Sequence, residues 1–342
     1  MNHAATASDA AGLPNPAATR IALAPMMQRT DRHFRYLLRL MSPDLRLYTE
    51  MITAQALLYG DAQQLLAYDS SEHPLALQLG GSDPAELAKA ARLGADAGYD
   101  EINLNIGCPS DRVSSGEFGA CLMAQPDRVA DCVAAIASTV DIPVSVKTRC
   151  GIDEQDSYEF VAGFIDTVAR AGCGFFIIHA RKAILSGLSP KQNREIPPLR
   201  YPFVYRLAKD FPQLRMLING GIRTTVEVRG HLSHVDGVML GRQAYKEPYW
   251  MAGLQTEVLN DLCGRQWSAP TRAEVVEQMA VYAERALASG ARLNHITRHV
   301  LGLYAGRPGA RAWRRFLSTH AVAPDARPEL LLDSLKYLQS PE

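Results

Sequence analysis

Residues 74–107, PLALQLGGSDPAELAKAARLGADAGYDEINLNIG, hold one complete structural repeat, and their reading decides the fold. Two short apolar runs, PLALQLG from Pro74 and EINLNIG from Glu101, have the length and bounding residues of buried strands. Between them Asp83-Pro84 has the form of a helix start, with proline in the first turn, and predicts a helix running to Ala97. Strand, helix and strand in that order make a parallel βαβ unit. Outward from it the alternation continues. Further strand-like runs begin at Ile21 (IALAPM), Leu47 (LYTEMI), Pro143 (PVSVKTR), Phe175 (FFIIHA), Met216 (MLINGG) and Gly237 (GVMLGR). Helix signals run from Gln125-Pro126 to Ser138 and from Asp156 to Ala171. Eight strands with helices between them over residues 20–255 predict the α/β class and a closed (β/α)8 TIM barrel, which takes ~250 residues. A doubly wound sheet would carry a glycine-rich first turn, and no GxGxxG follows the first strand.

Past residue 255 the strand signal stops, and residues 256–342 read as a C-terminal all-helical domain. Thr271-x-x-Glu274 has the form of a capping box, and Gly290 stands where a C′ glycine would end that helix. More helices are expected at 294–304, 309–320 and 328–339. From Arg285 to Pro324 there are seven arginines (285, 292, 298, 307, 311, 314, 315) and no Asp or Glu. The whole chain balances 36 basic against 36 acidic residues, so any field for a polyanion must be this local one. A solvated helix face reads the same charges without a ligand. Tyr304, Trp313 and Phe316 lie among the arginines, with a core role favoured over base stacking. Residues 1–19 are small, polar and broken by Pro14 and Pro16, which predicts a flexible tail and no secretory signal. With no apolar run of ~18 residues, no membrane span is expected. The six cysteines form no CxxC pair and no metal cluster, which points to reduced thiols in a cytoplasm and to no metal.

In a barrel of this kind chemistry sits at the C-terminal ends of the strands. There the chain supplies Pro25 and Met26, Glu50, Gln78, Asn103, Asn105, Cys108, Lys147, Arg149, His179, Arg181, Asn219-Gly220-Gly221 and Gly241-Arg242. Any one of these polar groups has a structural explanation, but their recurrence on seven strands does not. The glycines after the last two strands suit a phosphate held on main-chain N–H groups, with Arg242 adding a charge-assisted contact. Lys147 and His179 suit an electron-rich ring such as a flavin, although a lysine there reads also as a Schiff-base former. Cys108 follows the fourth strand in a loop punctuated by Gly107, Pro109, Gly116 and Gly119 that resembles a lid. A thiol in that position can protonate one carbon of an activated C=C bond while a flavin hydride enters the other.

Beyond these residue readings, the motifs ALAPM, LYTEM, HPLALQLGGSDP, YDEINLNIGCPSDRV, FGACLM, PVSVKTRCGID, IIHARKAILSGLSPKQNREIPPL, INGGI, DGVMLGR and ITRHVLGLYAGRPGARAWRRF resemble those of the tRNA-dihydrouridine synthases, A subfamily. The resemblance runs from Ile21 to about Ser318. It implies a barrel carrying FMN that, with NADPH as reductant, reduces uridines 20 and 20a of the tRNA D-loop, with hydride going from flavin N5 to C6 and the Cys108 proton to C5. It further implies that Ala24, Pro25, Met26, Gln78, Lys147 and His179 hold the flavin, while Asn219, Gly220, Gly221, Gly241 and Arg242 hold its phosphate. Asn105 and Arg194 would lie against the uracil, and Lys191, Arg298, Arg307 and Arg311 would meet the tRNA. No obligatory protein partner is implied, and a monomer is expected. One stretch departs from the pattern: where Leu-Asp-Trp-Thr-Asp-Arg is expected after APM, the chain has Met27-Gln28-Arg29-Thr30-Asp31-Arg32. Two other classes remain open on the residues alone: a flavoenzyme reducing a free pyrimidine or enone, and a tRNA-binding protein that keeps the barrel as scaffold.

Overall fold

The computed structural model describes residues 20–109 and 118–338. The expected tail, residues 1–19, and residues 110–117 of the expected lid lie outside the described residues. Each strand-like run forms a strand: β1 (Ile21–Leu23), β2 (Leu47–Tyr48) with its continuation β3 (Ile52–Thr53), β4 (Leu75–Gly80), β5 (Glu101–Asn105), β6 (Val144–Arg149), β7 (Phe175–His179), β8 (Arg215–Asn219) and β9 (Gly237–Leu240). The order around the sheet is β1-β9-β8-β7-β6-β5-β4-β2, with β3 also on β4 and every pairing parallel. Closure comes at Arg46, whose carbonyl accepts from Leu23 N at 2.8 Å and whose N–H donates to Ile21 O at 3.1 Å. The ring is therefore the expected (β/α)8 barrel.

The interruption between β2 and β3 has a local cause. Thr49 N still donates to Ala76 O at 3.0 Å, but Gln78 N donates to the Thr49 hydroxyl at 3.0 Å, where a regular ladder would use a carbonyl. A side chain thus replaces one rung. Outside the barrel, the helix Pro84–Asp96 starts where expected, with Asp83 accepting from Glu86 N at 2.8 Å. Helix Pro126–Ala137 likewise follows its proline signal. Helix Tyr158–Arg170 starts after Asp156, because Ser157 caps it and the Asp156 carboxylate pairs with Lys182 at 3.2 Å and Arg200 at 3.4 Å. Each helix buries a stripe at the helical period, such as Val129, Cys132, Val133 and Ile136.

Inside the barrel the two-residue period of the strands divides the lumen. Ala22, Ala24, Tyr48, Ala76, Phe175, Ile177, Leu217 and Met239 form one buried apolar cluster, most of it from β7, β8, β9 and the β1 segment. Beside it β4, β5 and β6 bring the polar Gln78, Glu101, Asn103 and Ser145, all fully buried, and the Tyr48 hydroxyl reaches Glu101 from β2. Such groups are tolerated inside only when they satisfy one another.

The chain falls into two compact units. Among the described residues the first comprises 20–27, 46–68, 73–109 and 118–241, and the second comprises 28–45, 69–72 and 242–338. Residues 242–255, read from sequence as barrel, cluster with the second unit. Within the second unit the Thr271 capping box is formed, with Thr271 N donating to Glu274 at 2.7 Å and Glu274 N to the Thr271 hydroxyl at 3.2 Å. Gly290, at φ +88°, stands in the left-handed conformation two residues past Ala288. Helices Leu293–Val300, Ala310–His320 and Glu329–Ser334 follow near the expected ranges. Tyr304 and Trp313 are wholly buried edge to face, and Trp313 Nε1 donates to Ser334 Oγ at 2.6 Å. Those aromatics are core. The helix Arg32–Met41 also belongs here: Asp31 caps it and binds Arg298 and His299, His33 Nδ1 is 2.7 Å from the Tyr282 hydroxyl, and Arg35 pairs with buried Glu72. In the divergent stretch, Gln28 has φ +61° and the Arg29 guanidinium sits 4.7 Å from the Tyr245 ring centroid.

Candidate active site

Within the first unit, the residues closing β4, β5 and β6 form one connected cluster. Register places Gln78 opposite Asn103, Asn103 opposite Ser145, and Asn105 opposite Lys147. Gln78 Nε2 donates to Asn103 Oδ1 at 2.7 Å, and Asn105 Nδ2 donates to Gln78 Oε1 at 2.8 Å. Asn105 Oδ1 then accepts from the main-chain N–H groups of Gly107 at 3.1 Å and Cys108 at 3.0 Å. Arg149 secures the same turn from β6, donating from Nε to Gly107 O at 2.7 Å. Its Nη1 reaches Lys182 O and Asn193 O, each at 3.1 Å. One guanidinium therefore ties the Cys108 turn to the loop that carries Lys191 and Arg194. Asn193 plugs that loop from inside, accepting from Ile184 N at 2.7 Å and donating to Ile184 O at 2.9 Å. Lys191 is exposed, and Arg194 is half-buried.

The electrostatics are those of a cationic cluster. Burial and the neighbouring Arg149 bring Lys147 down to about 7, while the Cys108 thiol acts the other way. Burial lowers Arg149 to about 10, again opposed by Cys108. Burial, then Arg149, Lys147, Arg181 and Arg194, hold His179 well below the ordinary imidazole range, so it is neutral at pH 7. Cations this closely set disfavour one another and favour an anionic or electron-rich guest. Burial raises Cys132 to about 11 and both Cys150 and Cys173 to about 12, which leaves them as inert core residues.

The sequence resemblance implies FMN, and the residues present fit it. His179 Nδ1 is buried with no hydrogen-bond partner among the described residues. Beyond β8, Gly220 (φ +118°) and Gly221 (φ +77°) are both in the left-handed region, and a Cβ on Gly221 would stand 2.6 Å from Leu199 and 2.8 Å from the Tyr201 hydroxyl. Only glycine makes that turn and leaves its main chain open to phosphate oxygens. Asn219 steadies it by donating to Met239 O at 2.7 Å, and Tyr201 donates to Gly220 O at 2.8 Å. Gly241 closes β9 beside Ala24 and Met26, its Cβ position 3.6 Å from Ala24 Cβ and 3.8 Å from Met26 Sδ. Arg242 is the next residue and opens the helix Arg242–Lys246 of the second unit.

The remaining arginines behave differently from one another. Arg298 is engaged with Asp31, whereas Arg307 and Arg311 are exposed. On the helix Ala310–His320, Arg311, Arg314 and Arg315 share the exposed face while Ala310, Trp313 and Leu317 face inward. Reading strand ends alone misses Arg46, Tyr48, Glu101 and Ser145, which lie deeper in the barrel. A signal for one of them exists: in EINLN the inward positions 101, 103 and 105 are all polar, against the usual alternation of a barrel strand.

Comparison with known proteins gives the chain a family. A family model described as dihydrouridine synthase matches residues 22–337. A tRNA-dihydrouridine(20/20a) synthase of Shewanella oneidensis is 60% identical over 299 residues, 87% of this chain and 88% of that one. The enzyme of the same name from Synechocystis is 56% identical over 94% of this chain and 95% of its own, and that of Escherichia coli is 56% identical over 94% and 96%. With the family model spanning nearly the whole chain and these identities behind it, the chain belongs to the dihydrouridine synthase family.

Proposed function

We propose that this protein reduces the C5=C6 bond of uridines at positions 20 and 20a of the tRNA D-loop to 5,6-dihydrouridine, using bound FMN and NADPH as reductant. The observation that carries the reading is the fixed Cys108 turn, held by Asn105 and Arg149 beside the cationic cluster of Lys147 and Arg149. The names of relatives at 56–60% identity support the substrate and its positions. Ala24, Pro25, Met26, Gln78, Lys147 and His179 would surround the flavin, and Asn219, Gly220, Gly221, Gly241 and Arg242 its phosphate. Bound FMN would supply the hydride that enters uracil C6.

The chain's own residues do the rest. Cys108 Sγ holds a proton and delivers it to C5, so that the π bond is replaced by two C–H bonds and the thiolate regains its proton from water. Lys147, charged or a donor according to pH, offsets negative charge on the ring side of the cavity. Neutral His179 offers one N–H and one lone pair. Asn105 and Arg194 orient the uracil, while Lys191, Arg298, Arg307 and Arg311 contact the tRNA backbone. Those contacts offset the few kcal/mol needed to unstack the base. In the decisive experiment, the prereduced protein is mixed with tRNA lacking dihydrouridine and with free uridine. Flavin reoxidation by tRNA alone is expected, with mass spectrometry locating the product at positions 20 and 20a. Equal reoxidation by free uridine would move the assignment to a free-pyrimidine reductase, and a protein that takes up no FMN would leave only a tRNA-binding scaffold.

A further inference from the structure

We infer that Glu101, at the start of β5, is a positioning residue that, set against Arg46, dictates the direction of a hydrogen-bond chain reaching Asn105 and the Cys108 turn. The identity of the ligands that chain would serve rests on the flavin and uracil reading above, whereas the chain itself is a property of the protein. An Asn or Gln side chain has a donor end and an acceptor end of almost equal shape, so a ladder of amides can run either way unless its ends are fixed. Here both ends are fixed.

At the lower end Glu101 is wholly buried, with Arg46 Nη2 2.7 Å from its Oε2 and Arg46 itself fully buried. Its other oxygen accepts from the Tyr48 hydroxyl at 2.9 Å and from the Ser145 hydroxyl. A carboxylate beside a cation only accepts, so the single Ser145 proton is committed to it. Ser145 Oγ must then accept, and it does so from Asn103 Nδ2 at 2.6 Å. That turns Asn103 Oδ1 toward Gln78 Nε2, which in turn aims Gln78 Oε1 at Asn105 Nδ2. The upper end is the Cys108 main-chain N–H, which only donates, against Asn105 Oδ1. Every bond points the same way, toward Glu101, and the second N–H and second lone pair of each amide are placed accordingly. This orientation decides which atoms of Gln78 and Asn105 meet a ring in the cavity.

Replacing Glu101 by glutamine sets the two ends in conflict. The new amide turns its oxygen to Arg46 and its N–H groups to Tyr48 and Ser145. Ser145 then donates to Asn103, Asn103 and Gln78 reverse in turn, and two N–H groups meet between Gln78 and Asn105. Removing the Ser145 hydroxyl cuts the message before it reaches the amides. The test is therefore a set of three variants: Glu101→Gln, Ser145→Ala and the double variant. Each is compared with the wild type for FMN affinity, by quenching of flavin fluorescence, and for single-turnover flavin reoxidation by tRNA lacking dihydrouridine. Glu101→Gln should bind FMN about tenfold more weakly, the effect of one misdirected buried hydrogen bond, and reoxidise more slowly. Ser145→Ala should stay within about threefold of wild type. The double variant should return to the level of Ser145→Ala, a rescue that loss of the ion pair alone would not allow. A double variant as impaired as Glu101→Gln, or a Glu101→Gln protein equal to wild type, would overturn the inference. Should Glu101→Gln not fold, a neutron structure of the wild-type protein decides. Deuterons on Ser145 Oγ toward Glu101 and on Gln78 Nε2 toward Asn103 are expected, and the opposite direction would sink the idea. A wild-type protein that binds no FMN would refute the flavin reading and leave the neutron result to judge the chain.

Discussion

Cys108 owes its place to the side chains that hold its main chain, since Asn105 takes its N–H, Ala120 donates to its carbonyl at 3.0 Å and Arg149 holds the preceding residue. Cys108→Ala removes none of these bonds. It should keep FMN and tRNA binding and lose single-turnover uridine reduction by about 10²–10⁴-fold, the range for loss of a general acid; an undiminished rate would remove the thiol from the mechanism. Lys147 carries a second prediction, with a sign. In the cofactor-free protein it titrates near 7, below the ordinary 10.5, so between those values the unfolded chain binds a proton that the folded protein does not. Stability therefore rises with pH across that window, and the cost of the buried charge is fully present below pH 7. Lys147→Met should stabilise the FMN-free protein by a few kcal/mol at pH 6, at ~1.4 kcal/mol per pH unit of displacement, and the gain should vanish by pH 10.5. Denaturant titrations at several pH values measure it, and a gain independent of pH would mean that packing, not charge, is responsible. Cys108, Lys147 and His179 were legible in the sequence because each closes or follows a strand. Glu101 escapes a reading of strand ends because it opens its strand, and only the polar inward positions of EINLN point to it.

At the scale of elements, the barrel strands were legible because each is a short apolar run bounded by turn residues, and the period of two then placed the site. The break between β2 and β3 was not legible, since nothing in LYTEMIT announces that the Thr49 hydroxyl would replace a carbonyl. The start of the helix after Asp156 failed for a similar reason: two nearby residues could cap it, and the choice depends on Lys182 and Arg200, distant in sequence. The helix Ala310–His320 shows how one segment can serve core and ligand together. Its inward Trp313 is fully buried and bonded to Ser334, so Trp313→Ala should cost about 3–5 kcal/mol, seen as an earlier unfolding midpoint. Its outward Arg311, Arg314 and Arg315 form no ion pair among the described residues. Reversing all three to Glu should leave that midpoint within about 1 kcal/mol and weaken tRNA binding, with the slope of log affinity against log salt falling by roughly 2–3. An unchanged slope would identify the arginines as a solvated face.

For the whole molecule, the second unit is not the C-terminal segment that composition suggests. The strand signal ends near 255 and a helical run follows, which makes residues 256–342 read as a separable domain. The unit instead gathers residues 28–45 and 69–72 as well as everything from 242 onward. The borrowed pieces supply interior contacts. Asp31 meets buried His299, and that contact and its charge draw the carboxyl well below the usual range although burial opposes them. His33 meets Tyr282, Tyr36 stacks on Tyr282 with centroids 4.1 Å apart, and Phe34 packs on Tyr245 at 4.9 Å. Gln255, wholly buried, donates to Asp44 at 2.7 Å and accepts from the Ser42 hydroxyl at 2.9 Å. Cut away from these segments, residues 256–342 would expose His299 and the ring of Tyr282 and would keep their helical propensities without a closed core. Such a fragment should show helical far-ultraviolet dichroism, little near-ultraviolet signal from Trp313, and no cooperative thermal transition. Adding residues 20–255 as a separate chain should restore the near-ultraviolet signal if the missing contacts are the cause. A fragment that melts sharply on its own would show that these contacts are dispensable and that the segment is an autonomous domain.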